Sequence, residues 1–120
     1  MKPDIDGTSF GSIVIDGKTY KHDVVIRRNG RVEKRKKQLS REVYGNSHTV
    51  ALAEAKDLLE SGVTEVVIGT GQSGVLTVSD EALDYLEDRE IDVVELATPE
   101  AIEMWNAMDE DVVGLFHVTC

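Results

Sequence analysis

Two hydrophobic periods divide the chain. Before residue 42 the apolar positions fall in short, strand-like runs broken by turn pairs, and after residue 50 helical and strand periods alternate. Phe10 to Ile15 reads as a strand, and Asp16-Gly17 supplies a hairpin turn. A second strand runs from Thr19 to Ile26 with a break near His22-Asp23. Asn29-Gly30 signals another hairpin, returning through Arg31 to Glu33. Residues 34–41 have no apolar face and predict an exposed strand end or loop, and Tyr44 to Ser47 reads as a connector.

Beyond this point Leu52, Ala55, Leu58 and Leu59 recur at helical spacing opposite Glu54, Asp57 and Glu60, so 50–60 predicts an amphipathic helix. Ser47 or Thr49 is placed to cap its start, and Gly62 suits the left-handed position past its end. Val63 to Ile68 predicts a strand. Ser79 caps a second helix whose positive first turn holds Asp80 and Glu81, with Val78 stapled onto Leu83. Ile91 to Leu96 is another strand, and Thr98-Pro99-Glu100 opens a third helix that buries Ala101, Ile102 and Trp105. Val112 to Val118 is nearly all apolar, which predicts a central strand covered on both faces.

The expected architecture is α/β: a central mixed, largely parallel sheet with helices packed on it and an N-terminal antiparallel β-hairpin extension. It is expected as one domain over 1–120, a β-meander over 1–41 followed by α-β-α-β-α-β over 42–120. The expected core is Val66, Val67, Ile68, Val93, Val94, Leu96, Val113, Leu115 and Phe116, faced by Leu52, Leu58, Leu83, Ile102 and Trp105.

Composition narrows the class without naming a reaction. With 41% hydrophobic and 30% charged residues, the 120-residue chain is globular rather than disordered. It has no run of about 20 apolar residues, and MKPDIDGTSF lacks the features of a signal or transit peptide. One cysteine forbids an internal disulfide and fits a reducing compartment, so a cytoplasmic location is expected.

The net charge of −10 is unevenly spread. Residues 27–41 carry eight basic residues (Arg27, Arg28, Arg31, Lys34, Arg35, Lys36, Lys37, Arg41) against Glu33, a net of +7, whereas 42–120 carry 2 against 18 acids, −16. The overall acidity argues against nucleic acid, while the basic run keeps a protein partner or a small anionic ligand open. Two readings of the run stand: it neutralises the chain's own acids, or it docks an acidic partner.

Gly69-Thr70-Gly71-Gln72-Ser73-Gly74 matches G-x-G-x-x-G after a predicted strand, the pattern by which backbone N–H groups cradle a pyrophosphate. Its context differs, since Val75 to Val78 is β-like and the helix begins only at Ser79. The alternative is a glycine-rich turn at the carboxyl end of a parallel strand, still the edge where α/β sheets place ligands. His117 and Cys120 have H-x-x-C spacing, but two ligands do not make a zinc site, and an offset of three along a strand points them to opposite faces. The carboxylates form no recognisable acid/base pair, and a P-loop lysine, a nucleophile elbow and an H-E-x-x-H pair are absent. No catalytic residue, metal or cofactor is assigned.

Gly62 to Val78 (GVTEVVIGTGQSGVLTV), Tyr85 to Met108 (YLEDREIDVVELATPEAIEMWNAM), Val113 to Cys120 (VGLFHVTC) and Tyr20 to Val24 (YKHDV) together resemble a small archaeal and bacterial domain family of unknown function. That family includes the mammalian adipogenesis-associated protein and the mitochondrial respiratory complex I assembly factor. The resemblance implies a three-layer α/β fold and no established enzymatic activity. Its matching positions are Gly69, Gly71, Ser73, Phe116, His117 and Cys120, of unknown role. RVEKRKKQLSREVYG departs from the aromatic-containing stretch that the family often has there. The expected function is a non-catalytic binding or assembly module. The alternative is a small-molecule or nucleotide-like anion-binding protein or enzyme using the Gly69–Gly74 loop.

Overall fold

A computed structural model describes residues 2–120. Its central sheet has five strands: β4 (Val24–Ile26), β5 (Val32–Lys34), β7 (Glu65–Thr70), β9 (Asp92–Leu96) and β10 (Val112–His117), in the order β5-β4-β10-β7-β9. β10 runs parallel to β7, which runs parallel to β9, and β10 and β5 are antiparallel to β4. β1 (Ile5–Ser9), β2 (Ser12–Ile15) and β3 (Lys18–Tyr20) form a separate antiparallel sheet. β6 (Thr49–Val50) and β8 (Thr77–Val78) form a short parallel pair. Among the described residues the helices are α1 (Gln38–Tyr44), α2 (Leu52–Leu58), α3 (Asp80–Glu87) and α4 (Thr98–Ala107).

β10 is buried along its whole length, as its unbroken apolar run requires of a central strand. Its side chains alternate between two cores. Val113 and Leu115, with Val66 and Ile68 of β7, pack against Ala55, Leu58, Ala82 and Leu86 of α2 and α3. Val112 and Phe116, with Val67, pack against Ala101, Ile102 and Trp105 of α4 and Ile5, Ile13 and Ile15 of the small sheet. Trp105 meets Phe116 edge to face at 5.7 Å, and its indole N–H donates to the Pro3 carbonyl at 2.9 Å. The expected core residues are largely here, although Val93, Val94 and Leu96 are only half-buried because β9 is an edge strand, and Leu52 and Leu83 of the facing helices are half-buried too.

Local signals placed most of the ends. The Asp16-Gly17 turn has φ of +48° and +79°, and Gly30 has φ +88° at the second hairpin. Ser79 accepts the Ala82 N–H at the start of α3, and Pro99 sits in the first turn of α4.

Two expectations are corrected. Residues 34–41 are not simply a strand end or loop: Lys34 closes β5, Arg35 is buried, and Gln38 opens α1. Only Ser40 of α1 is buried, so polar contacts rather than an apolar stripe hold this helix. α2 is shorter than 50–60 and is capped by neither Ser47 nor Thr49. Ala51 stands at its start, and the Ala51 N–H donates to Ser40 Oγ at 2.8 Å, a cap supplied from α1. β1 has no counterpart in the sequence reading, because Asp6 and Gly7 are poor strand formers and only pairing with β2 holds them extended.

Candidate functional site

The carboxyl ends of the parallel strands gather the sequence motifs on one edge. β7 delivers Gly69 and Thr70, and the chain then turns through Gly71 (φ +105°) and Gly74 (φ +70°). β8, not a helix, follows the third glycine. The loop's N–H groups point inward to the chain itself. Gln72 N–H donates to the Thr119 carbonyl at 2.7 Å, and the N–H groups of Ser73 and Val75 donate to the Cys120 carbonyl at 3.2 and 3.0 Å. A Cβ on Gly71 would overlap the Cys120 carbonyl group, and one on Gly69 would lie 2.9 Å from both the Phe116 ring and Thr98 Oγ1. The glycines therefore make room for residues 119–120 and for α4. Thr98 Oγ1 ties these pieces together, accepting the Gly71 N–H at 2.9 Å and donating to the His117 carbonyl at 2.6 Å.

The basic run divides into two halves. Arg27 bonds Glu33 at 3.0 Å and Asp57 at 2.9 Å, Arg28 bonds Asp111 at 2.8 Å, and Lys36 bonds Asp57 at 3.0 Å. Burial works against the charge of Asp57, but its bonds to Lys36 and Arg27 outweigh it and hold the carboxyl below its usual range. Arg35 is fully enclosed, donating to Glu54 at 2.6 and 3.0 Å and to Asp23 at 2.9 Å. Glu54, expected on the polar face of its helix, is instead only 1% exposed. It also accepts from Ser40 Oγ. A buried carboxylate is tolerated here because a bidentate guanidinium and a hydroxyl satisfy it. By contrast, Arg31, Lys34, Lys37 and Arg41 enter none of the ion pairs among the described residues.

Lys34 and Lys37 line, with Lys21, an open cleft of about 340 Å³ beside the end of β10. Its wall carries a line of polar groups. Asp23, at the break between β3 and β4, accepts the Val118 N–H on Oδ1 at 2.8 Å and both His117 Nδ1 (2.7 Å) and Arg35 on Oδ2. Burial pushes Asp23 up, but these bonds outweigh it and leave its carboxyl below the ordinary value. A carboxylate only accepts, so Nδ1 of His117 carries a proton. The far nitrogen, Nε2, lies 3.2 Å from Thr119 Oγ1. His48 stacks edge-on against the His117 ring at 5.8 Å. His117 and Cys120 do not pair: the histidine is buried and the cysteine exposed. Among the described residues no group of three or more His, Cys, Asp or Glu is placed to hold a metal ion, and no helix is long and apolar enough to cross a membrane.

Sequence reasoning missed Asp23, Glu54 and Ser40, and it left His117 without a partner. Asp23 showed only as a polar break in a strand, and its partners lie 12 and 94 positions away.

A profile described as "Protein of unknown function (DUF498/DUF598)" matches residues 5–117. The conserved hypothetical protein PH1505 from Pyrococcus horikoshii OT3 is 33% identical, with a TM-score of 0.90 over 98% of this chain and 99% of that one. The solved structure of MT938 is 32% identical, with a TM-score of 0.83 over 99% of this chain and 100% of that one. A Bordetella pertussis protein described as a Mth938-like domain shares the fold at 14% identity, with a TM-score of 0.64 over 97% of this chain and 85% of that one.

Proposed function

The chain belongs to the DUF498/DUF598 family of proteins of unknown function, and from that premise we propose that it is a binding or assembly module which holds an anionic group in the Lys21–Lys34–Lys37 cleft. One observation carries this reading. Four cations of the basic run are neutralised internally, whereas Lys34 and Lys37 are left without carboxylate partners at the mouth of a concave, polar-walled site shared with Lys21. In a chain of net charge −10, unpaired cations have abundant acids to pair with, so a pocket where they stay unpaired favours an anion from outside. The proposed kinship with the mammalian adipogenesis-associated protein and the complex I assembly factor belongs to the same reading, with the anionic group carried by a protein partner. The runner-up, a nucleotide-like anion on Gly69–Gly74, requires Thr119 and Cys120 to leave the loop's N–H groups first.

Thermal denaturation in inorganic phosphate and in succinate tests the cleft. Saturation at a hundredfold excess over Kd stabilises by about 2.7 kcal/mol, a shift of several degrees in a domain of this size. The Lys21→Glu/Lys34→Glu/Lys37→Glu variant is expected to lose the shift while keeping its ligand-free Tm, and Lys36→Glu, outside the cleft, is expected to keep it. Flat curves for the unaltered protein, or loss of the shift in Lys36→Glu alone, reject the proposal.

A further inference from the structure

Asp23, His117 and Thr119 stand in series along the wall of the cleft, and we infer that they form a carboxylate–imidazole–hydroxyl relay that makes Thr119 Oγ1 a nucleophile toward acyl esters bearing a negative charge. The inference rests on the anion-binding reading only for the charge of the substrate.

Each link has the geometry the role demands. Asp23 Oδ2 holds Nδ1 of His117 at 2.7 Å, which fixes the tautomer and leaves the lone pair on Nε2, the nitrogen beside Thr119 Oγ1. Asp23 is itself held by the Val118 N–H and by Arg35, so the orienting carboxylate is rigid and stays ionised. Nε2 and Thr119 Oγ1 are 3.2 Å apart, within the range over which a base takes the proton of a hydroxyl nucleophile. Backbone contacts hold both reacting groups. The His117 carbonyl is tied to Thr98 and the Thr119 carbonyl to the Gln72 N–H, so the segment on which they lie is anchored from two sides. His117 and Thr119 both line the cleft that holds Lys21, Lys34 and Lys37. These ammonium groups supply a partner for a substrate carboxylate and positive potential for the oxyanion that develops at the carbonyl. A buried imidazole held by a carboxylate and pointing at a hydroxyl in an open cleft is more than helix packing or sheet closure needs.

In the first step Thr119 Oγ1 bonds to the acyl carbon while its proton passes to Nε2. The C–O bond to the leaving alcohol then breaks, and the departing oxygen takes that proton. Water repeats the sequence on the acyl-threonine, releasing the acid and restoring the hydroxyl, so the net reaction is ester plus water to acid plus alcohol.

The probe is p-nitrophenyl hydrogen succinate, with neutral p-nitrophenyl acetate beside it, on the full chain. Released nitrophenolate gives the rate, and the mass of the intact and digested protein locates the acyl group. Succinylation of Thr119 is expected. His117→Gln and Asp23→Asn are expected to slow it by about a hundredfold or more, and Thr119→Ser to retain it. Because Asp23 and His117 also brace the fold, Thr119→Val is the decisive variant: no adduct, an unchanged Tm, and intact stabilisation by succinate. An adduct confined to lysines or to Cys120, or a Thr119 adduct formed equally fast in His117→Gln, overturns the relay. Equal rates on the neutral and anionic esters overturn the charge selection and leave the relay standing, which separates the two readings.

Discussion

Arg35 shows how the meaning of a residue depends on its partners. In the sequence it is one of eight cations in a fifteen-residue run, and in the fold it is 3% exposed and clamps two carboxylates. Burial opposes its charge, yet the bonds to Glu54 and Asp23 outweigh that and raise its pKa further. Removing one side of such a pair leaves a buried, unmatched charge. Arg35→Met is therefore expected to lower stability by about 3–5 kcal/mol, read as a lower urea midpoint at unchanged slope. Adding Glu54→Leu is expected to recover most of the loss, because two apolar groups replace the pair and Asp23 keeps His117 and the Val118 N–H. If the double variant is no more stable than the single one, the pair contributes more than charge matching.

At the scale of elements, the loop after β7 and the segment after β10 are one structural unit, with the N–H groups of the first closing on the carbonyls of the second. Gly71→Ala sets a Cβ against the Cys120 carbonyl at a φ of +105°. It is expected to detach residues 119–120 and expose the amides of Gln72, Ser73 and Val75 to hydrogen exchange, with protection in the centres of β7 and β10 unchanged. Unchanged exchange at those three amides disproves the coupling. β10, the α3 cap and the proline start of α4 were legible in the sequence because each is written in neighbouring residues. The role of Gly71 was not: the motif gave its backbone freedom but not the group that occupies the space. α1 and the Ser40 cap of α2 were hidden for the same reason, since a hydroxyl on one helix satisfies an amide on another eleven positions on.

For the whole molecule, acid is the stress that finds the weak point. Asp23 and Asp57 both titrate below their ordinary value in the fold, so each contributes stability that is present above the unfolded value of 3.8 and disappears as the pH falls through the lower folded value. A fall in Tm beginning near pH 4 and steepening below it is expected, and Asp23→Asn is expected to flatten that slope while lowering the plateau at neutral pH. An equally steep slope in Asp23→Asn places the acid sensitivity elsewhere. The order of strands in the central sheet has a further consequence, in the time domain. β10 lies between β4 and β7 yet follows both in the chain. During synthesis, a nascent chain that has passed β7 but not reached β10 offers two open strand edges, Val24–Ile26 and Glu65–Thr70, whose residues, apart from the half-buried Glu65, are buried in the finished sheet. Closure of the sheet is then a single late insertion that must pair Gly114 with Ile26 and Val112 with Glu65, distant in the chain and slow to find. Until it happens the growing polypeptide is a client for whatever shields sticky edges in the cell.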